Sequence, residues 1–211
     1  MRSWLPQGFF ARTEIEVKRS RFLATLARAD SEEQARGVVA QVRGTFPDAR
    51  HHCLAFIIDL PDAQPIERSS DDGEPAGTAG MPMLEVLRGA ELGHVVAVVT
   101  RYFGGVLLGT GGLVRAYSDA VAAVLADTPR VVPQRRILWG LDVSPAEAGR
   151  VQGALLNRGL EVVDADWGAT VRLTVAVADP DAALPVVREL TQSELTPVDL
   201  GVRIVEVPLA P

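Results

Sequence analysis

Apolar positions along the chain change their period several times, and each change marks an element. The mix of apolar and polar positions from Glu14 to Ala27 reads as one or two strands. Beyond it the spacing turns helical: Ala35, Val38, Val39, Val42 and Phe46 share one face, Ser31 and Gln34 form a capping box, and Pro47 stops the helix. The density of Leu, Phe and Ile from His52 to Asp59 predicts a strand. A long turn-rich loop is expected from Leu60 to Gly80, then a short helix around Pro82 to Leu87. Val95 to Phe103 reads as a buried strand that runs into Gly104-Gly105 and Gly109-Thr110-Gly111-Gly112. The clearest element follows, because Leu113, Ala116, Tyr117, Ala120, Val121, Val124 and Leu125 keep an unbroken i, i+3, i+4 stripe.

After Pro133 the pattern predicts a strand (137–143), a helix (145–158), two strands (160–167 and 170–177), a helix (about 182–193) and a strand (198–207). Ser144 and Glu147 are expected to cap the first of these helices, with Pro145 at its first position and Gly159 ending it. Pro185 falls inside the second helix and blurs its start. The order is βαββαβ, the ferredoxin-like pattern. Pro129 and Pro133 punctuate the chain where this texture begins, so two domains are expected, 1–133 and 134–211, in an α+β protein.

Composition narrows the function classes. With 211 residues, 47% hydrophobic and 23% charged, the chain is a folded protein long enough for one large domain or two small ones. No apolar run approaches the roughly 18–20 residues that cross a bilayer, and Met1 to Pro6 lacks the apolar segment of a secretory signal. No membrane partner and a cytoplasmic location are therefore expected. Cys53 is the one cysteine, which excludes an internal disulfide and any site built on several thiolates. The formal charge is −6; 14 basic face 16 acidic residues up to Pro133, and 7 face 11 after it. Neither half is basic, so any RNA contact must be local.

Two segments concentrate chemistry. The first is Arg68 to Gly80, in which Asp71, Asp72 and Glu74 place three carboxylates within four residues, flanked by Gly73 and Thr78. Such a group could hold a hard cation or divide into acid and base; Asp-Gly and Glu-Pro are equally the ordinary composition of a solvated turn. The second is Arg101 to Arg115, in which a strand, a glycine-rich turn and a helix start present unpaired N–H groups to an anion. Gly104 and Gly109 have Walker A spacing, yet Thr110 stands where its lysine would be, and Val114 replaces the third glycine of a dinucleotide site. Arg101 and Arg115 could face one phosphate from the two ends of the turn, with Tyr102 or Phe103 free to stack on a base. Tight packing of the glycines, and an Arg115–Asp119 pair along the helix, are the plainer readings.

His51-His52-Cys53 offers little to a metal, because neighbouring strand residues face opposite ways and only His94 could add an imidazole. Neither a metal nor another cofactor is expected. His52 is retained as a candidate contact, Cys53 reads as a small core residue, and Lys18-Arg19-Ser20-Arg21 reads as a solvated strand end.

Taken together, Arg21-Phe22-Leu23-Ala24, His52-Cys53-Leu54-Ala55-Phe56, the run Ser70 to Leu84 and the run Arg101 to Tyr117 resemble the YigZ/IMPACT family, in family order across residues 20–125. The last 75 or so residues resemble the appended C-terminal domain of the bacterial members through the βαββαβ pattern. The resemblance implies an N-terminal α/β domain like domain IV of elongation factor G, a ribosomal-protein-like βαβ fold, and a C-terminal domain like that factor's later domains. It also implies a role in translation, since eukaryotic relatives compete for an activator of the starvation-responsive kinase of an initiation factor.

The expectation is a translation-associated regulator, leaning away from an enzyme. It would bind RNA or the ribosome through a cleft lined by the acidic loop (His52, Arg68, Asp71, Asp72, Gly73, Glu74 and Thr78) and the glycine turn. In that turn Arg101, Tyr102, Phe103, Gly104, Gly105, Gly109, Thr110, Gly111, Gly112 and Arg115 are the phosphate- or RNA-binding candidates. A hydrolase or transferase acting on a phosphorylated small molecule through Asp71, Asp72 and Glu74 is the alternative. A protein-binding adaptor using the C-terminal sheet is a third reading.

Overall fold

The computed structural model describes residues 2–61, 63–191 and 196–209. In chain order the elements are β1 (Ser3–Trp4), β2 (Phe10–Val17), β3 (Ser20–Arg28), α1 (Glu32–Thr45), β4 (His51–Leu60), β5 (Ala63–Ser70), α2 (Gly80–Gly89), β6 (Leu92–Gly93), β7 (Val95–Tyr102) and α3 (Thr110–Leu125). They continue as β8 (Val131–Val143), α4 (Pro145–Asn157), β9 (Glu161–Trp167), β10 (Val171–Val177), α5 (Pro180–Leu190) and β11 (Val198–Pro208). The protein is α+β. It divides into two units, Met1–Val132 with Val207–Pro211, and Pro133–Glu206.

The first unit is built on a five-stranded sheet of order β2-β3-β7-β4-β5, antiparallel at every step. β3 and β4 both pair with β7, so they run parallel to each other and α1 joins them as a split β-α-β crossover. Helices α2 and α3 cover one face, where Leu113, Tyr117 and Val121 pack on Phe22, Cys53, Ala97 and Val99. α1 covers the other through Ala35, Val39 and Val42 against Phe56, Ile58, Val96 and Val98. The central strand β7 is thus buried on both sides, which is why it reads as an unbroken apolar run. The α3 stripe of seven apolar residues is the buried face of that helix.

Local rules account for most boundaries. Ser31 Oγ accepts from the Gln34 amide at 3.2 Å; the Gln34 side chain takes the Asp30 amide in place of the Ser31 amide, so the capping box is shifted by one residue. β2 and β3 join through a two-residue turn in which Lys18 (φ 47°) and Arg19 (φ 67°) are both left-handed.

The loop expected from Leu60 to Gly80 is corrected by the structure, because its first half is β5, paired with β4 from Leu54↔Ser70 to Leu60↔Ala63. β5 is an edge strand, exposed or half-exposed along its length and carrying Pro65, so it lacks the apolar density that marks a strand in the sequence.

The second unit has the order β8-α4-β9-β10-α5-β11. Its strands lie as β11-β8-β10-β9, and α4 and α5 share one core with Trp139, Leu141, Leu173 and Val175. Ser144 does not cap α4 through the backbone as expected: its hydroxyl lies 2.9 Å from a Glu147 carboxylate oxygen and makes no bond to a helix amide. α5 begins earlier than expected, at Pro180, because Asp179 accepts from the amides of Asp181 and Ala182. The expected end of this helix, at residue 193, lies outside the described residues.

Candidate functional site

The acidic loop and the end of β7 meet inside the first unit. Arg101 projects from β7 onto the face covered by α2 and α3, directly opposite His51 of β4. Its Nη1 donates to Glu74 Oε1 at 2.7 Å, and Tyr117 of α3 donates its hydroxyl to the same oxygen at 2.8 Å. Both charged side chains are enclosed, 8% exposed for Arg101 and 4% for Glu74. The pair is compensated internally, which removes the Arg101 charge from the surface where sequence reasoning had put it facing a phosphate. The Arg101 guanidinium lies 5.4 Å from the Phe22 ring centroid and 5.7 Å from that of Phe103. Its Nε is buried and has no acceptor.

The three carboxylates of the loop do not converge. Asp71 turns inward and accepts from the amides of Gly77 (2.7 Å), Gly80 (2.8 Å) and Ala79 (3.0 Å), so it holds the loop closed on itself. Burial alone would raise its carboxyl; those amides outweigh burial and lower it below the ordinary 3.8. Asp72 accepts from the His52 amide at 2.7 Å and pairs with Arg43, and its pKa is likewise lowered against the push of burial. Glu74 faces Arg101 and Tyr117. Thr78 is buried and donates to the Pro75 carbonyl at 2.6 Å, whereas Arg68 lies exposed on β5. No cluster of three or more metal-ligating side chains occurs among the described residues. Acid–base or metal chemistry shared by Asp71, Asp72 and Glu74 has no geometric basis here.

Cys53 is fully buried, with Sγ 3.0 Å from the Asp71 carbonyl oxygen and 3.3 Å from the Tyr117 hydroxyl. Burial pushes its thiol up to about 12, and burial likewise raises Tyr117. His52 points to the opposite face, 3.0 Å from Thr100 Oγ1, and burial together with Arg43 lowers its pKa. It lines no exposed surface.

The glycine turn is shaped by close packing at one end and openness at the other. A Cβ on Gly104 would stand 2.0 Å from the Arg19 carbonyl carbon, and the Gly104 amide donates to Ser20 Oγ at 3.1 Å, which locks the β2–β3 turn against it. Gly105 (φ 83°) and Gly109 (φ 74°) take left-handed conformations. Gly109 caps α3 without any side-chain acceptor, leaving the amides of its first turn available. Thr110, Gly111 and Arg115 are exposed, Gly112 is half-exposed, and Arg115 has no ion-pair partner among the described residues, Asp119 included.

Around the end of the sheet these loops form a cleft of about 510 Å³ lined by Asp48, Arg50, His51, Arg101, Tyr102, Phe103 and Leu107. The Tyr102 hydroxyl donates to Asp48 at 2.8 Å, and Phe103 is 57% exposed. Arg50, Asp48 and Leu107 were missed by sequence reasoning, and Lys18 and Arg19 were set aside as a solvated strand end. Lys18, Arg19 and Arg50 show in the sequence as basic residues next to predicted strand ends, but nothing in their spacing says that those ends gather in one place. No helix among the described residues is long and apolar enough to cross a membrane.

Comparison with known proteins supplies the lineage. The Impact N-terminal domain family matches residues 18–125, the segment that builds the buried pair and the cleft. The IMPACT family member YigZ of Escherichia coli (strain K12) is 41% identical over 179 residues, covering 84% of this chain and 87% of that relative. A crystal structure of a hypothetical protein is similar with a TM-score of 0.58 at 38% identity, covering 94% of this chain and 97% of the other. The structure of the two-domain translational regulator Yih1 has a TM-score of 0.41 at 28% identity, covering 58% of this chain and 48% of the other. On the match to residues 18–125 and an identity of 41% over most of its length, the chain belongs to the IMPACT family.

Proposed function

We propose that the chain is a translation-associated regulator that binds RNA, free or on the ribosome. The surface is the end of the first unit's sheet where the β2–β3 turn, the segment before β4 and the glycine turn before α3 meet. The translation setting rests on membership of the IMPACT family and on what that resemblance implies, the likeness to domain IV of elongation factor G included. The surface rests on one observation: cations without acidic partners and exposed aromatic and apolar residues coincide there.

Lys18, Arg19 and Arg50 are exposed and form no ion pair among the described residues. Among the acidic neighbours Glu14 pairs with Arg21 and Asp72 with Arg43, and Glu16 faces Arg21 across the hairpin; Asp48 accepts from the Tyr102 hydroxyl and keeps its charge. Phe103, Val106 and Leu107 are exposed beside them. Cations interleaved with an aromatic suit a single strand, where backbone neutralisation and base stacking combine. The first-turn amides of Gly111 and Gly112, with Arg115, extend the phosphate-binding edge. A net charge of −6 keeps the contact local.

The test is co-sedimentation with ribosomes and separated subunits across a salt series, for the parent and Lys18→Glu/Arg19→Glu/Arg50→Glu. Each lost contact to a single strand lowers the slope of log affinity against log salt by about 0.7, so the triple variant loses about 2. Absence of salt-sensitive binding at low salt would overturn the reading.

A second reading, docking of a protein partner, is favoured by β11, which exposes Val198, Leu200, Val202 and Ile204. Retention of a partner from nuclease-treated lysate, lost in Val202→Asp/Ile204→Asp, would support it.

A further inference from the structure

We infer that the cleft at the end of the first unit's sheet is a pocket for a single unstacked nucleobase, with Phe103 as its stacking platform. The inference rests on the RNA-binding reading above and names what the site takes from the RNA. The electrostatics of the cleft decide between a phosphate and a base. Arg101, the cation on its floor, is already neutralised by Glu74 at 2.7 Å, and Asp48 adds a carboxylate to the lining. A phosphate on that floor would face Glu74 and Asp48 with Arg101 already neutralised, so a flat neutral ring suits the floor and Arg50, exposed and unpaired among the described residues, is left for the RNA strand's backbone.

The polar atoms left over suit a base edge. Arg101 Nε is a buried donor with no acceptor in the protein, a costly state for a native polar group, on a residue that lines the cleft. His51 sits directly across from it in the β4–β7 register. His51 Nδ1 lies 2.9 Å from the Asp72 carbonyl oxygen, which can only accept, so Nδ1 carries a proton. Arg101 and His51, paired in register and both in the lining, bring polar groups to the cleft without a fixed pattern, so the pocket favours stacking over sequence reading.

Phe103 is 57% exposed, and the Arg101 guanidinium lies 5.7 Å from its centroid on one side, leaving ring surface for a ligand. Arg50, exposed and unpaired among the described residues, stands in the lining where the flanking phosphate of a flipped nucleotide would pass. The volume of about 510 Å³ falls within the roughly 300–1,000 Å³ of small-ligand sites.

The experiment uses the full chain and short single-stranded homo-oligoribonucleotides, a matched strand of abasic sugar-phosphate units, and a strand carrying one fluorescent adenine analogue, 2-aminopurine. The abasic strand is expected to bind about 5- to 150-fold more weakly than the base-bearing strands, the equivalent of one stacked base. Phe103→Ala is expected to lose the same factor and the fluorescence quenching of 2-aminopurine, while Phe103→Trp keeps both. Phe103→Ala touches an exposed side chain, and circular dichroism checks its fold. Equal binding of abasic and base-bearing strands, with Phe103→Ala unchanged, would overturn the base pocket and leave RNA binding through the backbone standing. No binding of any strand, and none to ribosomes, would overturn both readings.

Discussion

Replacing Glu74 by glutamine keeps the shape of the side chain and its acceptor for Tyr117 but removes the charge that balances Arg101. Both partners are nearly enclosed, at 4% and 8% exposure, so little solvent screening reaches them. Leaving one member of such a pair alone costs about 3–5 kcal/mol, because the remaining ion keeps its desolvation penalty without its partner. With a urea m-value of about 2 kcal/mol per M, the midpoint for the first unit should fall by about 1.5–2.5 M. Cys53 provides the readout: it is fully buried in that unit and is the chain's one thiol, so a brief labelling pulse after equilibration at each urea concentration counts unfolded molecules. Arg101→Met should cost a similar amount through the orphaned carboxylate. Glu74→Leu/Arg101→Met should cost less than either single change added to the other, since the double variant buries no lone charge. A midpoint shift below about 0.5 M for Glu74→Gln, under 1 kcal/mol at that m-value, would refute the compensated-pair account.

Other expectations follow from the same geometry. Gly104→Ala should destabilise the fold by at least about 1–3 kcal/mol and weaken RNA binding, since its methyl would stand 2.0 Å from the Arg19 backbone; a denaturation curve matching the parent would contradict this. Cys53, with its thiol pushed up to about 12, should resist thiol reagents at pH 8 until urea unfolds the unit, and rapid stoichiometric labelling of the native chain would count against it. Stability should fall in two stages with acid. The imidazoles of His52 and His94, lowered from 6.5 chiefly by burial, resist protons that the unfolded chain takes up as the pH drops below 6.5. The carboxyls of Asp71 and Asp72, held below 3.8, do the same as the pH falls through that value. Urea midpoints that stay level from pH 8 to pH 3 would contradict both stages.

Features governed by local rules were legible in the sequence, and features governed by tertiary proximity were not. The α3 stripe and the Ser31 cap follow from spacing alone, and the structure has them at those residues. β5 escaped because an edge strand with Pro65, Glu67 and Arg68 has neither apolar density nor clean alternation. The glycine turn was recognised from its composition, yet its role in packing against Arg19 depends on a hairpin some 85 positions away. Arg101 and Glu74 are 27 residues apart, and nothing in either segment announces that one neutralises the other. The acidic loop looked like a cluster because Asp71, Asp72 and Glu74 are close in sequence; a left-handed Asp72 (φ 42°) and Gly73 (φ 84°) send the three side chains to different partners.

The β2–β3 turn bears on how such a protein could be improved or evolve. A two-residue turn with both residues left-handed is the place where Asn-Gly is strongly preferred, and an ordinary L-residue there costs on the order of 1–2 kcal/mol. This chain holds Lys18 and Arg19 at that position, accepting a less stable hairpin and presenting two unpaired cations at its tip. Lys18→Asn/Arg19→Gly should therefore give a more stable chain that binds RNA less well, setting stability against activity within a single turn. A stability screen alone would select that variant and discard the proposed binding surface.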